Sequence, residues 1–225
     1  MIGILTYNLK HRKTYDTLCM LKAKGYKDVM VYAIPLHYKK KYVPLIEHRP
    51  SMLWDINTEE LCNNLGYKYV DIKDYGEIKQ VKGDIMLVCG AGILPDEFLE
   101  KYEVINAHPG YIPNCRGLDA LKWAIYDGEK IGVTTHIIGK EVDAGDIIIR
   151  EEVPVSKNDT FFLVAQKVYE TEIYLLVKSI ELLENNVKTK YISGNGFEVH
   201  KRMPNSIEKQ LLDKFEDYKK RFVQE

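Results

Sequence analysis

Short apolar runs rich in Val, Ile and Tyr alternate with amphipathic stretches through the first two thirds of the chain. The strand-like runs lie at residues 2–7, 28–34, 67–72, 84–90, 103–108, 132–138 and 146–155. The helical stretches between them lie at residues 14–24, 58–66 and 118–128. Two parallel strands need a crossover connection, which is usually a helix. The alternation therefore predicts an α/β fold in which helices flank a largely parallel sheet.

The pattern after Val155 is mostly helical. Residues 159–185 suit one long helix, with Asp159 or Thr160 as its N-cap. The apolar positions of this helix share one face: Phe161, Val164, Val168, Leu175, Leu176, Ile180 and Leu183. A glycine-containing stretch follows, and a charged helix begins near Ser206. We expect residues 1–190 to form one domain and residues 191–225 to form a short helical C-terminal extension, which packs on the core or on a second subunit of a homodimer.

Composition excludes several classes of partner. The chain has 32 basic and 33 acidic residues and a formal net charge of -1, whereas a nucleic-acid partner requires a positive surface. The apolar runs are too short for a membrane span, and the first residues lack the pattern of a signal peptide, so we expect a cytoplasmic protein without a membrane partner. The four scattered cysteines form no CxxC pair and predict neither a metal site nor a disulfide framework.

Residues 105–117, INAHPGYIPNCRG, place an amide and an imidazole at the end of a strand. Asn106 and His108 are two residues apart, so both project to one side of an extended backbone. Pro109 keeps His108 extended and ends the strand, and the neighbouring prolines and glycines make the segment rigid. The two side chains can donate to the oxygen that becomes negative when a carbonyl is attacked. Alternatively, they are hydrogen-bonded polar residues that close the strand.

Two other segments carry candidate functional groups after a strand. In VCGAGILP, Gly90 and Gly92 let a flat ligand approach the backbone, or simply form a turn. In KEVDAGD, Asp143 either caps the turn, a role that Asp146 could also fill, or accepts a proton near the amide and the imidazole. Ligands of open α/β sheets collect beyond the carboxyl ends of the strands, so we expect all three segments at that edge.

Together, the three segments resemble the formyltransferase family that uses 10-formyltetrahydrofolate. DIMLVCGAGILP resembles the folate-loop strand of the family, INAHPGYIPNCRG its Asn-x-His-Pro segment, and GVTTHIIGKEVDAGDIII its Asp loop. The resemblance covers residues 80–155. It implies a Rossmann-like formyltransferase fold with residues 1–190 as the catalytic domain, 10-formyltetrahydrofolate as the formyl donor, and no metal.

The same resemblance assigns Asn106, His108 and Asp143 as catalytic residues. In the implied mechanism an amine attacks the formyl carbon through a tetrahedral intermediate, and protonated His108 and Asn106 stabilise the oxyanion. Asp143 raises the basicity of His108 and helps to move the proton. His136 either supports the site or is a hydrogen-bonded core histidine. The implied folate pocket is formed by Cys89, Gly90, Ala91, Gly92, Ile93, Leu94, Ile138, Gly139 and Val142.

The family branch depends on which amine is formylated. The stretch ILTYNLKHRKTY lacks the glycine-rich phosphate loop of glycinamide-ribonucleotide formyltransferases. PNCRGLDALKWAI resembles methionyl-tRNA formyltransferases, but the chain leaves no room for their separate C-terminal domain and lacks their basic face. The chain resembles the sugar-nucleotide N-formyltransferase branch, whose compact members end soon after the core. This branch implies a nucleotide-linked amino dideoxy sugar as the acceptor, as in cell-surface glycan biosynthesis.

Several polar residues are candidates for contacts with this sugar nucleotide. Tyr7, Asn8, Lys10 and Arg12 follow the first strand. Arg116 either locks its own loop or reaches the substrate. The stretch HYKKKYVPLIEHR offers phosphate and base contacts, or is a solvated charged run, through Tyr38, Lys39, Lys40, Lys41 and Tyr42.

Other functions stay open at this point. The acceptor could be glycinamide ribonucleotide, methionyl-tRNA or a carrier-bound aminoacyl group, because the three candidate catalytic residues do not specify what carries the amine. A deformylating hydrolase and a non-catalytic folate or nucleotide-sugar binding module are further alternatives. Cys115, beside Arg116 and near His108, is either a nucleophile or a small packing residue, as most single cysteines are.

Overall fold

A computed structural model describes residues 1–36, 43–52, 55–79, 84–139 and 141–222. The strands in these ranges are β1 (Ile2–Tyr7), β2 (Val29–Ile34), β3 (Lys68–Asp71), β4 (Ile85–Val88), β5 (Glu103–His108), β6 (Arg116–Gly117), β7 (Gly132–Ile138), β8 (Gly145–Glu152), β9 (Lys190–Ile192) and β10 (Val199–His200). The helices are α1 (Arg12–Ala23), α2 (Thr58–Leu65), α3 (Asp96–Leu99), α4 (Ala120–Asp127), α5 (Phe161–Glu184), α6 (Asn205–Glu208) and α7 (Leu211–Phe222).

Within the described residues, one large sheet has the strand order β3-β2-β1-β4-β5-β7-β8-β9, and β6 pairs separately with β10. The strands from β3 to β5 are parallel to their neighbours. Strands β7, β8 and β9 continue the sheet in antiparallel fashion. Only six residues separate the end of β7 from the start of β8, too few for a crossover, so the two strands must be antiparallel. The predicted α/β fold is confirmed, with an antiparallel end added to the parallel sheet.

The two faces of β5 contact different parts of the protein. Ile105 and Ala107 are buried in the same apolar cluster as Val177 and Ile180 of α5. Val104 packs on the opposite face, in a cluster that also contains residues after β4. Because side chains alternate along a strand, the even-numbered residues of β5 face away from α5. The polar residues of this strand therefore lie on the face that α5 leaves uncovered.

The start of α5 agrees with the sequence. Thr160 is the N-cap, and its side-chain oxygen accepts a hydrogen bond from the Leu163 amide at 3.2 Å. Asp159, the other candidate cap, instead accepts from the Ser156 amide at 2.8 Å and pairs with Lys167. Of the seven expected apolar residues, six are buried and Leu183 is partly buried.

Residues 191–222 contact the rest of the protein at several points. Strand β10 pairs with β6, and Leu211, Phe215 and Tyr218 of α7 lie in the same apolar cluster as residues of α4. In α6, Glu208 is fully buried and forms an ion pair with Lys122 of α4. Glu208 also accepts hydrogen bonds from the amides at positions 45 and 46. The described part of the extension therefore packs on its own chain, whereas the division into two units at residue 190 stays a prediction.

Changing Glu208 to Ala should lower the free energy of unfolding by about 3–5 kcal/mol, because it leaves the buried Lys122 ammonium without its counter-ion. Glu152→Ala is the matched control, since the Lys130–Glu152 ion pair is 59% and 54% exposed at its two side chains. That change should cost less than about 1 kcal/mol. Urea unfolding of both variants measures the difference, and equal losses would contradict a buried charge pair.

Candidate active site

Three polar side chains meet on the uncovered face of the sheet. Asn106 and His108 project from β5, and His136 projects from β7 in the position opposite Asn106. The amide nitrogen of Asn106 lies 3.4 Å from Nε2 of His136. The pairing of β7 with β8 is irregular between Thr135 and His136, and such bulges redirect side chains near functional sites.

Asp143 approaches this group from the turn between β7 and β8. Its Oδ2 lies 3.4 Å from Nδ1 of His108 and accepts a hydrogen bond from the Gly117 amide at 2.8 Å. Its Oδ1 lies 3.7 Å from Nε2 of His136. The backbone of Asp143 is left-handed, with φ of 43°, a conformation that Asp adopts more readily than most residues. One carboxylate is therefore held between two imidazoles.

The expected location of this turn was wrong. Register pairs Ile137 with Ile105 and Ile138 with Gly145, so the turn begins toward the amino end of β5 and not beyond its carboxyl end. Asp143 reaches His108 across the face of the sheet. The spatial proximity expected for Asn106, His108 and Asp143 is nevertheless observed.

The surroundings of Asp143 favour its charged form. Burial alone would raise the pKa, but His108, His136 and the Gly117 amide together lower the pKa of Asp143 to about 2. A carboxylate that accepts hydrogen bonds and faces positive or polarised groups is stabilised in its ionised form. Asp143 is therefore a carboxylate throughout the neutral pH range.

His108 is held on both sides of its ring. Nε2 lies 2.8 Å from the carbonyl oxygen of Cys115, and Nδ1 faces Asp143. Burial lowers the pKa of His108. The Asp143 carboxylate and the Cys115 carbonyl act in the opposite direction, but the net pKa remains below its usual value. Both ring nitrogens face acceptors, and the protonated His108 implied for the transfer stays a prediction.

Gly110 explains why this loop can hold His108. A Cβ atom at position 110 would lie 2.5 Å from the Cys115 carbonyl oxygen and 2.6 Å from Nε2 of His108. Only a residue without a side chain lets the two groups meet there. Gly110 thus allows the segment of residues 105–117 to hold the imidazole against the Cys115 carbonyl.

Arg116 braces the site instead of lining it. Its buried guanidinium donates to the carbonyl oxygens of Val142 and Asp143 at 2.9 and 3.1 Å from Nε. It also donates to Gly194 at 2.7 Å and to Phe197 at 3.3 Å from Nη1. A substrate contact for Arg116 is therefore wrong, because its nitrogens are already bound to backbone oxygens on two loops.

A cavity of about 350 Å³ opens beside Asn106, His136 and Asp143. Seven of the nine expected folate-pocket residues line it: Ala91, Gly92, Ile93, Leu94, Ile138, Gly139 and Val142. The two others do not. Cys89 lies in a neighbouring cavity, and a Cβ at Gly90 would lie 2.7 Å from the ring of Tyr7. The cavity wall also includes residues that sequence reasoning missed, namely Val88, Asp96, Leu99 and Glu141.

A second cavity, of about 430 Å³, lies on the other side of residues 88–92. Four cationic side chains line it: Lys10, Arg12, Lys13 and Arg49. The buried carboxylate of Glu172 pairs with both Lys13 and Arg49, and these two cations lower its pKa to about 2 against the effect of burial. Lys10 also pairs with Asp55, and Arg12 pairs with Asp16. Four cations against three carboxylates leave this cavity, named here the cationic cavity, with a small excess of positive charge.

Residues 67–180, just over half of the chain, match the sequence profile of the formyl transferase family. The chain belongs to the formyl transferase family. It is 36% identical over 132 residues to a methionyl-tRNA formyltransferase of Fusobacterium nucleatum subsp. nucleatum, an alignment that covers 55% of this chain and 43% of that protein. The chain thus spans less than half of the length of this relative and of two further methionyl-tRNA formyltransferases.

Two solved structures show the family fold at low sequence identity. An N-formyltransferase from Helicobacter canadensis, in complex with folinic acid and dTDP-3-aminofucose, has a TM-score of 0.63 and 21% identity, covering 95% of this chain and 80% of that one. A phosphoribosylglycinamide formyltransferase from Anaplasma phagocytophilum has a TM-score of 0.60 and 21% identity, covering 89% and 98%. The likeness extends over nearly all of this formyl transferase family member.

The expected substrate-side residues of this family member divide into two groups. Lys10 and Arg12 line the cationic cavity. Tyr7 instead packs edge-on against His11, with ring centroids 5.8 Å apart, and Asn8 is exposed outside both cavities. The expected contacts at residues 38–42 lie outside the described residues. Sequence reasoning missed Lys13, Arg49 and Glu172, although a charged residue on the buried face of α5 was a visible signal.

The chemistry of Cys115 excludes it as a nucleophile. Burial raises the pKa of the Cys115 thiol to about 12, and the side chain is fully buried. A thiol reacts through its thiolate, which this environment suppresses at neutral pH.

Within the described residues, no three or more His, Cys, Asp or Glu side chains are arranged to hold a metal ion. None of the helices in the described ranges combines the length and apolar character that a bilayer span requires.

Changing Asp143 to Asn should lower the pKa of His108 further, because it removes the negative charge that opposes the effect of burial. Asp146→Asn is the matched control, since Asp146 is exposed and lies three positions farther along the chain, at the start of β8. The His108 ring signals in nitrogen-15 NMR spectra, followed from pH 8 to pH 4, give the pKa. An equal response of His108 to both changes would contradict a direct contact with Asp143.

Proposed function

We propose that this protein is an N-formyltransferase that moves a formyl group from 10-formyltetrahydrofolate to the amino group of a nucleotide-linked amino dideoxy sugar. The observation that carries the proposal is the pairing of two cavities around residues 88–92. One cavity presents Asn106 and Asp143, and the other presents four cations. In a formyl transferase family member, this arrangement suits a formyl donor in the first cavity and, in the second, an acceptor that carries both an amine and an anionic group.

The first cavity fits a flat, mostly apolar donor. Its walls include Val88, Leu94, Leu99 and Ile138, whereas Gly92 has nothing within 4 Å of the position of an added Cβ. Small-molecule sites are typically apolar with a few polar groups that fix orientation. A pteridine ring can lie between these walls with its polar edge toward the backbone. The bound donor would supply the formyl carbon, which is the electrophile of the reaction.

The polar residues have separate roles in the proposed transfer. Asn106 donates from its amide to the formyl oxygen as negative charge develops there. Asp143 orients the attacking amine and relays the proton that this amine loses to Nδ1 of His108, 3.4 Å away. The imidazolium that forms is stabilised by ionised Asp143 and by the Cys115 carbonyl. His108 then returns the proton to the departing nitrogen as the bond from carbon to that nitrogen breaks.

The cationic cavity supports an acceptor that carries phosphate. Lys13 donates to the carbonyl oxygen of Ala107 at 3.5 Å, which links this cavity to the residue between Asn106 and His108. Desolvation and the charge of Lys13 lower the pKa of His11 to about 4, so His11 is a neutral polar group at this wall. A phosphate bound by Lys10, Lys13 and Arg49 would hold an attached sugar amine toward the formyl group.

The proposal and its alternatives differ in the acceptor, that is, in the molecule that carries the formylated amine. The segment between β1 and α1 contains no glycine, and His11 at the start of α1 forms no side-chain cap, so a glycine-rich phosphate nest is missing from this place. The likeness to the N-formyltransferase solved with dTDP-3-aminofucose supports a sugar nucleotide. The identity with methionyl-tRNA formyltransferases supports a second candidate acceptor, methionyl-tRNA.

A panel of acceptors tests the proposal. The full chain and 10-formyltetrahydrofolate are incubated with UDP-, dTDP- and GDP-linked amino sugars, with glycinamide ribonucleotide, with a carrier-bound aminoacyl group, and with methionyl-tRNA. Mass spectrometry detects the formylated product, and reactions without the donor are the blank. We expect turnover with at least one sugar nucleotide. Turnover confined to other acceptors would overturn the sugar-nucleotide assignment, and no turnover with any acceptor would support a binding module.

Changing Asn106 to Ala should lower kcat by about 100-fold to 1000-fold with the best acceptor, because it removes a donor to the developing oxyanion. His108→Ala should lower kcat by about 100-fold or more, because it removes the group that carries the proton from the amine to the departing nitrogen. Asn185→Ala is the matched control, since Asn185 lies exposed at the far end of α5. Steady-state kinetics measure the three variants, and thermal unfolding checks that each is folded. Rates near wild type in Asn106→Ala would remove this amide from the mechanism.

A further inference from the structure

A cavity of about 830 Å³ forms a groove between α1 and α5. It is closed on one side by residues 47–50 and is named here the α1–α5 groove. Arg12, Arg49, Pro50 and Tyr169 line both this groove and the cationic cavity. The two spaces are therefore adjoining parts of one depression, and a ligand held in the first can continue into the second.

The junction between the two parts is fixed by hydrogen bonds. Asp16 accepts from Nε of Arg12 at 2.7 Å and from the hydroxyl of Tyr169 at 2.8 Å. Arg12 also donates to the carbonyl oxygen of Ser51 at 3.3 Å. These contacts tie α1 to α5 and to the segment that closes the groove. The passage is thus preorganised, which lowers the entropic cost of binding a ligand across it.

The floor of the groove is apolar, and one aromatic ring is exposed beside it. Met20 and Ala23 contribute from α1, and Ala165 and Ile173 contribute from α5. The small alanines leave the space that larger residues would fill. The side chain of Phe162 is 57% exposed at this wall, although it contacts the ring of Phe161 edge-on. An exposed aromatic ring beside an apolar floor suits a planar heterocycle, which can stack on it.

Charge divides the depression into two ends. The cationic cavity is lined by four cations, which pair with Glu172, Asp16 and Asp55. The groove beyond the shared residues presents the carboxylates of Glu47 and Glu170 and no further Lys or Arg. An anionic group is therefore favoured in the cavity and disfavoured in the groove. The carboxylates and the amide of Gln166 can bond hydroxyl and N–H groups of a neutral ligand. The pattern fits a molecule with a phosphate-bearing centre and a neutral, aromatic, hydroxylated end.

We propose that the α1–α5 groove binds the nucleoside end of the acceptor while the cationic cavity binds its diphosphate. This assignment rests on the proposed function and specifies where such a substrate is recognised. The volume of the groove lies within the range of about 300–1,000 Å³ that small-molecule sites occupy. The same charge pattern disfavours a tRNA acceptor along this groove, because its phosphates would meet the carboxylates.

Direct binding tests the groove without requiring turnover. Isothermal titration of the full chain with UDP, dTDP, GDP and inorganic pyrophosphate measures affinity for each. We expect one nucleoside diphosphate to bind more tightly than pyrophosphate. Phe162→Ala should weaken the binding of that nucleoside diphosphate by about fivefold or more. Fivefold is the lower end of the range for losing an aromatic ring that stacks on a base. The affinity for pyrophosphate should not change, since the diphosphate site is intact.

Two more variants make the result specific. Leu163→Ala removes an exposed apolar side chain, 42% exposed, from the adjacent position outside the groove, and should leave both affinities unchanged. Ala165→Met extends a side chain from the floor into the groove. It should weaken the binding of the nucleoside diphosphate and leave the binding of pyrophosphate unchanged. Unchanged nucleoside diphosphate binding in Phe162→Ala, an equal loss in Leu163→Ala, or no preference over pyrophosphate in wild type would each overturn the groove assignment.

The outcome also separates this inference from the proposed function. Formylation of an amino-sugar nucleotide with an unchanged KM in Phe162→Ala and Ala165→Met would overturn the groove and leave the formyl transfer intact. Selective loss of nucleoside diphosphate binding in both variants, without turnover of any sugar nucleotide by wild type, would support the groove and overturn the proposed acceptor.

Discussion

The buried guanidinium of Arg116 holds together the two loops on which the site depends. Its nitrogens bind the carbonyl oxygens of Val142 and Asp143 in the turn after β7, and those of Gly194 and Phe197 in the segment between β9 and β10. Charge-assisted hydrogen bonds of this kind are strong because the donor is ionised. No space exists for a side chain at Gly194, since an added Cβ would overlap the guanidinium. Arg116 therefore fixes the backbone of the turn that carries Asp143, because its guanidinium ties this turn to the segment between β9 and β10.

Much of the site could be predicted because it follows from local rules. The period of two along β5 places Asn106 and His108 on one face, and the apolar spacing of α5 covers the other face. The antiparallel direction of β7 and β8 could also have been predicted, since the seven residues between the two strand-like runs are too few for a crossover and form a hairpin. Locking of a loop was one of the two predicted roles of Arg116. Its four backbone acceptors could not be predicted, because they come from residues up to 81 positions away. The lowered pKa of His108 depends likewise on burial that only the folded loops create.

Electrostatics assigns different tasks to the two sides of residues 88–92. On one side, a single ionised carboxylate lies among two imidazoles and an amide, so small movements of a proton change the local charge. On the other side, Glu172 is permanently ionised and holds Lys13 and Arg49 in place. The first arrangement suits proton transfer, and the second suits the binding of a fixed anion. In the proposed reaction, this separation would keep the phosphate of the acceptor away from Asp143 and His108.

The left-handed backbone at Asp143 limits which acids this position can hold. Aspartate and asparagine tolerate positive φ because their short side chains bond locally, whereas glutamate lacks that advantage. The Oδ2 atom must also reach the Gly117 amide and the His108 ring together. Conformation and chemistry thus favour the same amino acid, and glutamate is disfavoured by the main chain at this position even though it would conserve the charge.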